Sequence, residues 1–324
     1  MISVLHLGTA DYGTALGLQK SLVELRKQNR ISDVLLLLEH PAVITLGRNA
    51  SQKNLLASSE LLQKRHVEVF ESDRGGDITF HGPGQLVGYP IFDLRGFSPR
   101  IGAVEFVRRI EEALIRTCGD LGIPSERICG LTGVWTQGAD AGNCKDLPGG
   151  ASPGALTLRS EISAQSSVTK APQARVALPR RPENEQKKIA AIGVHISRGI
   201  TSHGFALNIT TDLDYFKLIV PCGISDRSVT SIAQELAGKS AVPGIEEVAH
   251  AVSLNFGRVF AQQMLWLESL DALLNTATPQ RDDQVEESES TTIGVPLKVP
   301  NGLRELRREQ KAPLLGSEDE ISLA

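Results

Sequence analysis

The sequence predicts an α/β fold (α+β in detail), in which mixed sheets pack against helices. Three observations lead to this class. Short apolar or alternating segments typical of strands recur along the chain, for example at 34–40 and 85–94. Longer stretches have apolar residues at helical spacing, such as 101–121. The two kinds of segment alternate along the chain instead of forming separate blocks, which is the pattern of an α/β domain.

The individual elements follow in chain order. A first helix is predicted from the spacing of Tyr12, Ala15, Leu16, Gln19, Leu22 and Val23. Strands are predicted at 34–40, 42–47 and 85–94, with an alternating stretch at 66–74. A second helix carries an inward stripe of Ile101, Val104, Val107, Ile110, Leu114, Cys118 and Leu121. Further strands are predicted at 133–136, 187–198 and 203–210. A final helix is expected over 244–268, with Ile245, Val248, Val252, Phe256, Val259, Phe260 and Leu265 facing inward.

Composition divides the chain into one domain, an insertion and a tail. The domain is expected over 1–275, interrupted at 138–186 by a segment rich in Gly, Ser, Ala and Pro that has no amphipathic period. Such a composition is typical of a flexible segment. The stretch 280–324 holds 6 basic and 10 acidic residues, so its net charge of −4 equals that of the whole chain. We therefore expect a disordered acidic tail.

Charge, hydropathy and cysteine spacing exclude several classes of protein. The neutral body lacks the basic surface of a nucleic-acid binder. No run of 18 apolar residues is present, and the first residues lack the pattern of a signal peptide, so no membrane association is expected. The four cysteines lie far apart, which predicts neither a zinc site nor a disulfide framework. These features favour a cytoplasmic location.

A glycine-rich run, RGGDITFHGPGQ at 74–85, is the first candidate for a functional site. Four glycines in twelve residues allow the backbone to approach a ligand closely or to adopt positive φ at turns. The alternative is a plain hairpin turn, which rarely needs four glycines together with Arg74 and His81. The run lacks the ending of a phosphate-binding Walker loop.

Cys222 and Lys188 are the candidate catalytic residues. Cys222 lies between Pro221 and Gly223, where an irregular turn would expose a thiol nucleophile, although an isolated cysteine is more often a small buried apolar residue. Lys188 begins a strand of small and apolar residues, where a lysine more readily gives up its proton and can act as general acid or base. The alternative is an exposed lysine at a strand end. Cys118 and Cys129 are expected to be structural, and Cys144 lies in the insertion.

Two histidines near these motifs are less decisive. His195 is expected to alternate to the surface of its strand. His203 precedes Gly204, and a turn residue and a ligand contact are equally consistent with that position.

Three segments together resemble the lipoyl(octanoyl) transferases of lipoate biosynthesis. These segments are RGGDITFHGPGQLVGYPIFDL, KIAAIGVHISR with HGFALNI, and PCGI, in the family's order. The resemblance covers roughly 1–137 and 188–265; the insertion and the tail depart from the family pattern. It implies the fold of the biotin and lipoate protein ligase catalytic domains.

The resemblance also implies an activity and its residues. The expected reaction moves an octanoyl group from octanoyl-acyl carrier protein to a lysine of lipoyl domains, the first step of endogenous protein lipoylation. Cys222 would carry the acyl group as a thioester and Lys188 would activate its thiol. Substrate binding would fall on Arg74, Gly75, Gly76, Asp77, Ile78, Thr79, Phe80, His81, Ala191, Ile192, Gly193, Gly204, Phe205 and Ala206. No metal or cofactor is implied.

The implied acceptors are lipoyl-domain proteins such as 2-oxoacid dehydrogenase E2 subunits and the glycine cleavage H protein. Two alternatives remain. An ATP-dependent lipoate or biotin ligase of the same fold would not need Cys222, and a non-catalytic scaffold would only bind lipoyl domains.

Overall fold

The structure, a computed structural model, describes residues 1–137, 186–221 and 227–275. Within these residues, eleven strands form one eight-stranded and one three-stranded sheet. The strands are β1 (Ile2–Thr9), β2 (Asp33–Glu39), β3 (Val43–Leu46), β4 (Glu68–Glu71), β5 (Ile78–His81), β6 (Gln85–Ile91), β7 (Ser125–Ile128), β8 (Leu131–Thr136), β9 (Lys188–Ser197), β10 (Ile200–Asn208) and β11 (Met264–Trp266). The helices are α1 (Tyr12–Lys27), α2 (Ser59–Lys64), α3 (Ala103–Asp120), α4 (Ile232–Leu236), α5 (Ile245–Phe260) and α6 (Leu270–Asn275).

The large sheet has the strand order β11-β1-β2-β6-β10-β9-β8-β7. β1 pairs in parallel with β11 and β2, whereas the neighbours from β2 to β7 are antiparallel. Its interior strand β2 is apolar on both faces. Leu35 and Leu37 join the core under α3 and α5, and Leu36 and Leu38 join a second core under α1. A continuous apolar run is therefore required here, because both faces of the sheet are covered.

The small sheet has the order β4-β3-β5 and a core of its own. Phe80 of β5 stacks on Tyr215, with ring centroids 4.8 Å apart, in a 3₁₀ segment at Leu213–Leu218. The loop between β4 and β5 contains the glycines at 75 and 76, and through Gly75 it hydrogen-bonds to Val194 of β9 in the large sheet.

Two predicted elements need correction. The last helix ends at Phe260 instead of 268, because Ala261 adopts a left-handed conformation with φ 52° and the chain then pairs as β11 beside β1. Leu265, predicted to face inward on that helix, is 36% exposed on the edge strand. Val104 lies in the first turn of α3 and is 75% exposed, so the inward stripe of that helix excludes it.

Other differences concern the chain ends and the cysteines. β1 is an element that the sequence reasoning missed. The predicted insertion lies outside the described residues except for Gln186, which is buried and donates a hydrogen bond of 2.6 Å to Glu126. The predicted acidic tail also lies outside them. Cys129 is disulfide-bonded, which the cysteine spacing did not predict, and Cys118 is a buried free thiol. No helix within the described ranges is long and apolar enough to cross a membrane.

Candidate active site

A cavity of about 400 Å³ lies where the glycine-rich loop covers the face of β9 and β10. Apolar and small residues of β6, β9 and β10 form one wall, and polar side chains of the loop and of β5 form another. The lining residues are Tyr12, Asn49, Arg74, Gly76, Asp77, Thr79, His81, Val87, Tyr89, Gly130, Leu131, Thr132, Lys188, Ala191, Ile192, Gly193, His203, Gly204, Phe205 and Ala206. This volume and mixed lining suit a small apolar ligand that carries a polar end.

Backbone contact between the loop and β9 closes one side of the cavity. The amide of Gly75 donates to the carbonyl of Val194 over 3.0 Å. A Cβ atom on Gly193 would lie 2.6 Å from the carbonyl oxygen of Gly75. The two glycines therefore meet because neither carries a side chain, which is the close approach that the glycine-rich run predicts.

Arg74 is a buried cation, and three of the groups that accept hydrogen bonds from it are neutral oxygens. Its Nη2 donates to the carbonyl of Thr45 at 2.6 Å and to the Oγ1 of Thr45 at 2.9 Å, while Nη1 donates to the carbonyl of Gly75 at 3.0 Å. The guanidinium thus joins β3 to the glycine-rich loop and brings a positive charge to the cavity wall.

Asp77 organises the loop that follows β3. Its carboxylate accepts from the backbone amides of Ile78 at 2.8 Å and Ser51 at 3.2 Å, and also from the side chain of Asn54. Beyond Asp77, Thr79 and His81 face the cavity, whereas Ile78 and Phe80 face the core of the small sheet. The alternation of a strand separates these four side chains.

A substitution at Gly84 tests whether the glycine-rich run requires glycine for its backbone conformation and close packing. Its φ of 77° is left-handed, and a Cβ atom there would lie 2.5 Å from Thr210 Oγ1. We expect Gly84→Val to lower the octanoyl-transfer activity that the resemblance implies at least about tenfold, and to lower the melting temperature of the purified protein. Asp77→Ala should have a smaller effect, because water can solvate the amides that it releases. Gly102→Val, with nothing within 4 Å of its Cβ position, is the control. Equal tolerance at Gly84 and Gly102 would show that the run is an ordinary turn.

Two buried histidines lie at the polar side of the cavity: His81 lines it, and His40 lies behind, with the two ring centroids 5.9 Å apart. His40 Nδ1 lies 2.6 Å from the carbonyl oxygen of Ala10, and its Nε2 lies 2.7 Å from the hydroxyl of Tyr89. The carbonyl only accepts, so His40 carries its proton on Nδ1 and accepts from Tyr89 at Nε2. Burial lowers the pKa of His40 to about 4. Burial, with His40 and Arg74 nearby, lowers the pKa of His81 to about 3.

These depressed pKa values predict an acid-sensitive fold. The unfolded histidines bind protons as the pH falls below 6.5, whereas the folded ones stay neutral, so stability present above pH 6.5 is lost toward pH 4. For His40 alone the expected loss is about 3 kcal/mol over that range. Urea unfolding followed against pH should show this loss, and His40→Gln should reduce its slope. His66→Gln, at an exposed position, is the control. An unchanged slope in His40→Gln would contradict the assignment.

Lys188 lies at the other end of the cavity, where β9 begins. Its Nζ sits 4.7 Å from the ring centroid of buried Trp135, in the geometry of a cation–π contact. Gly133, with φ 125°, packs against the same side chain, and a Cβ there would lie 3.4 Å from Lys188 Cε. Lys188 is only 7% exposed, which excludes the alternative of a solvated strand-end lysine.

The segment that contains Cys222 lies outside the described residues, but both of its flanks are described. Pro221 lines a small second cavity together with Lys188, Thr79 and Asn208. On the other flank, the Arg227 guanidinium lies 5.6 Å from the ring centroid of Trp135. The residues on either side of 222–226 therefore both lie beside the surroundings of Lys188.

His203 is a cavity residue that the sequence left undecided. Regular alternation would place it on the same face as Phe205, but its φ of 55° interrupts the alternation. Its Nε2 lies 2.7 Å from Asp73 Oδ1, and burial lowers the pKa of the imidazole. His195 lies 3.7 Å from the other oxygen of Asp73 and is partly covered instead of exposed.

Most of the sequence-predicted site residues that are described thus surround one cavity. Sequence reasoning missed a smaller group of lining residues: Tyr12, Asn49, Val87, Tyr89, Gly130, Leu131 and Thr132. Gly130 offered a local signal, since it precedes a strand-like stretch. The apolar and aromatic ones carry no motif, because core and cavity residues share that character, and Asn49 and Thr132 are isolated polar residues with no motif around them.

Comparison with known proteins places this geometry in a family. The family model described as lipoyl protein ligase A/B catalytic domain matches residues 11–257. An octanoyltransferase of Koribacter versatilis is 56% identical over 276 residues, covering 85% of this chain and 91% of the relative. An octanoyltransferase of Acidobacterium capsulatum is 53% identical, covering 85% of this chain and 96% of the relative.

Solved structures agree at the level of the fold. A bipartite lipoate protein ligase from Thermoplasma acidophilum superposes with a TM-score of 0.55 at 14% identity, covering 85% of this chain and 91% of that one. A lipoate-protein ligase A bound with ATP gives a TM-score of 0.52 at 14% identity, covering 83% and 89%. At such identities the likeness shows the fold alone. The chain belongs to the lipoyl protein ligase A/B catalytic domain family, and within it to the octanoyltransferases.

Proposed function

We propose that this protein, an acyltransferase that moves octanoyl groups in protein lipoylation, works through an acyl-thioester on Cys222 that is activated by Lys188. The activity follows from family membership at 56% and 53% identity. The observation that supports the mechanism is the position of Lys188, which lines the main cavity and also the small cavity that Pro221 reaches. Cys222 is the next residue along the chain, with consecutive Cα atoms about 3.8 Å apart.

The first half-reaction loads the enzyme. The Cys222 thiol gives its proton to Lys188, and the sulfur attacks the thioester carbonyl of the donor. The new carbon–sulfur bond forms as the bond from the carbonyl to the donor sulfur breaks, and Lys188 returns the proton to the leaving donor thiol. One thioester replaces another, so the step needs no nucleotide.

The second half-reaction transfers the acyl group to an amine. The acceptor lysine attacks the acyl-Cys222 carbonyl, and its nitrogen loses a proton that Lys188 can accept. The carbon–sulfur bond then breaks, and Lys188 passes this proton to the departing Cys222 sulfur, which regenerates the thiol. An amide replaces a thioester, which makes this step strongly favourable. The acyl chain would lie along β9 and β10, where Ala191, Gly193, Gly204 and Ala206 leave space beside them.

The partners follow from the same reasoning. We propose octanoyl-acyl carrier protein as the donor and lipoyl domains as the acceptors, including 2-oxoacid dehydrogenase E2 subunits and the glycine cleavage H protein. A cytoplasmic location and the domain boundaries at 275 and 280 remain predictions from the sequence.

The proposal is tested by intact-protein mass spectrometry. Incubation with octanoyl-acyl carrier protein should add the mass of one octanoyl group without ATP, and a lipoyl-domain acceptor should remove it. An absolute need for ATP would favour the ligase alternative. Binding of lipoyl domains with neither loading nor transfer would favour the scaffold.

A further inference from the structure

A chain of buried polar side chains runs beneath both cavities. Asn208 Nδ2 donates to the carbonyl of Thr230 at 2.9 Å, and Gln85 Nε2 donates to Asn208 Oδ1 at 2.9 Å. Gln85 Oε1 lies 2.8 Å from His81 Nδ1. All four residues are buried: Thr230 is fully covered and His81, the most accessible, is 7% exposed.

The donor and acceptor roles along this series of hydrogen bonds are fixed by the carbonyl group of Thr230 at its end. The carbonyl of Thr230 can only accept, so Asn208 must present its NH₂ group there and its oxygen toward Gln85. Gln85 must then present its own NH₂ group to that oxygen, and the same group also donates to the carbonyl of Phe80 at 3.2 Å. Turning either amide over would set donor against donor or oxygen against oxygen.

The consequence reaches His81. Gln85 Oε1 is an acceptor, so the neutral imidazole carries its proton on Nδ1 and leaves Nε2 as an acceptor. That nitrogen lies 3.5 Å from Thr45 Oγ1. Thr45 Oγ1 already accepts from the Nε and Nη2 of Arg74, at 3.1 and 2.9 Å, so its one hydrogen is available to His81. The chain therefore extends to the guanidinium on the cavity wall.

The opposite end reaches the strand of Lys188. The backbone amide of Thr230 donates to the carbonyl of Lys188, and the amide of Lys188 donates to the carbonyl of Ser228, each at 2.9 Å. Gln85 and Asn208 also line the small cavity beside Lys188. One hydrogen-bonded chain thus connects the glycine-rich loop with the segment that follows Cys222.

We propose that Asn208 and Gln85 are positioning residues of the transfer reaction. They hold His81 in its Nδ1–H form and fix the positions of Arg74 and Lys188 relative to each other across the cavity. This inference rests on the proposed function for its kinetic part only. The tautomer of His81 is a property of the free protein.

The experiment combines nuclear magnetic resonance with kinetics. In protein labelled with ¹⁵N-histidine, the His81 ring signals, identified by their loss in His81→Gln, should show a single Nδ1–H form. In Asn208→Leu, Gln85 is released to rotate, and in Gln85→Met the acceptor is lost. Both variants should add signals of an Nε2–H form to those of the Nδ1–H form, which Thr45 alone still favours, and octanoyl loading per folded molecule should fall about tenfold or more, since small misplacements of reacting groups are costly.

Asn255→Leu is the matched control, because Asn255 is an equally buried amide on α5 that donates to Asp120 at 2.9 Å and lies outside both cavities. It should lose stability but keep the His81 signals and the loading rate of the wild type. An unchanged Nδ1–H signal in both Asn208→Leu and Gln85→Met would overturn the proposal. So would loading rates within about threefold of the control. A wild-type protein that forms no octanoyl adduct would instead contradict the proposed function. The ring signals would still show whether Asn208 and Gln85 set the tautomer of His81.

Discussion

Cys222→Ser is expected to abolish the octanoyl adduct. A serine hydroxyl is a much weaker nucleophile than a thiol unless a base activates it strongly, and thioester exchange requires sulfur. After incubation with octanoyl-acyl carrier protein, the wild-type protein should carry one octanoyl group that hydroxylamine releases, and Cys222→Ser should carry none. The transfer rate to a lipoyl domain should fall by at least about a thousandfold.

Cys118 provides the control for this experiment. It is a buried residue of α3, and burial raises the pKa of its thiol to about 12, so it cannot supply a thiolate at neutral pH. Cys118→Ser should therefore keep the adduct, at some cost in stability. Cys144→Ser should keep it as well. An adduct that persists in Cys222→Ser would assign the nucleophile to another residue.

The residue types that carry the chemistry of the site could be predicted from the sequence more completely than the contacts between them. The glycine-rich run indicated close backbone contact, and the structure shows it between Gly75 and Gly193. Lys188 was identified as a lysine that enters apolar surroundings, and it is buried against Trp135. In both cases the signal was local, because the required residue types lie within a few positions of each other.

Non-local contacts were not predictable in the same way. Gln85 and Asn208 are separated by 123 residues, and although Gln85 ends the glycine-rich run, nothing in the sequence around either residue indicates that the two amides pair. Their pairing depends on β6 and β10 being adjacent, with Asn208 opposite Gln85 in the register. A hydropathy pattern gives the face of a strand but not its partner, so this amide pair was invisible before the sheet order was known.

The last helix shows a different limit. The apolar spacing continues past Phe260 to Leu265, and periodicity alone does not mark the end of the helix. The helix ends at Phe260 because Ala261 takes a left-handed conformation, which is unusual for a residue other than glycine or asparagine. This turn brings β11 beside β1, and the pairing of the two strands, again a non-local contact, stabilises it.

Lys188→Ala should slow octanoyl loading about a hundredfold or more at neutral pH, the usual range for loss of a general acid or base. The thiol remains, but it loses the group that takes its proton. Raising the pH toward 9 should restore part of the rate, because hydroxide then removes the proton instead. The measurement is the initial rate of adduct formation by mass spectrometry between pH 6 and 9.

Two further variants separate the possible roles of this lysine. Lys187→Ala removes the same charge one residue away, from a side chain that does not line either cavity, and should load at a rate close to that of the wild type. Lys188→Arg keeps a positive charge that does not dissociate in this pH range. It should therefore load faster than Lys188→Ala if charge alone matters, and equally slowly if proton transfer is required. A Lys188→Ala enzyme with the wild-type rate and pH profile would show that Cys222 is activated by another group.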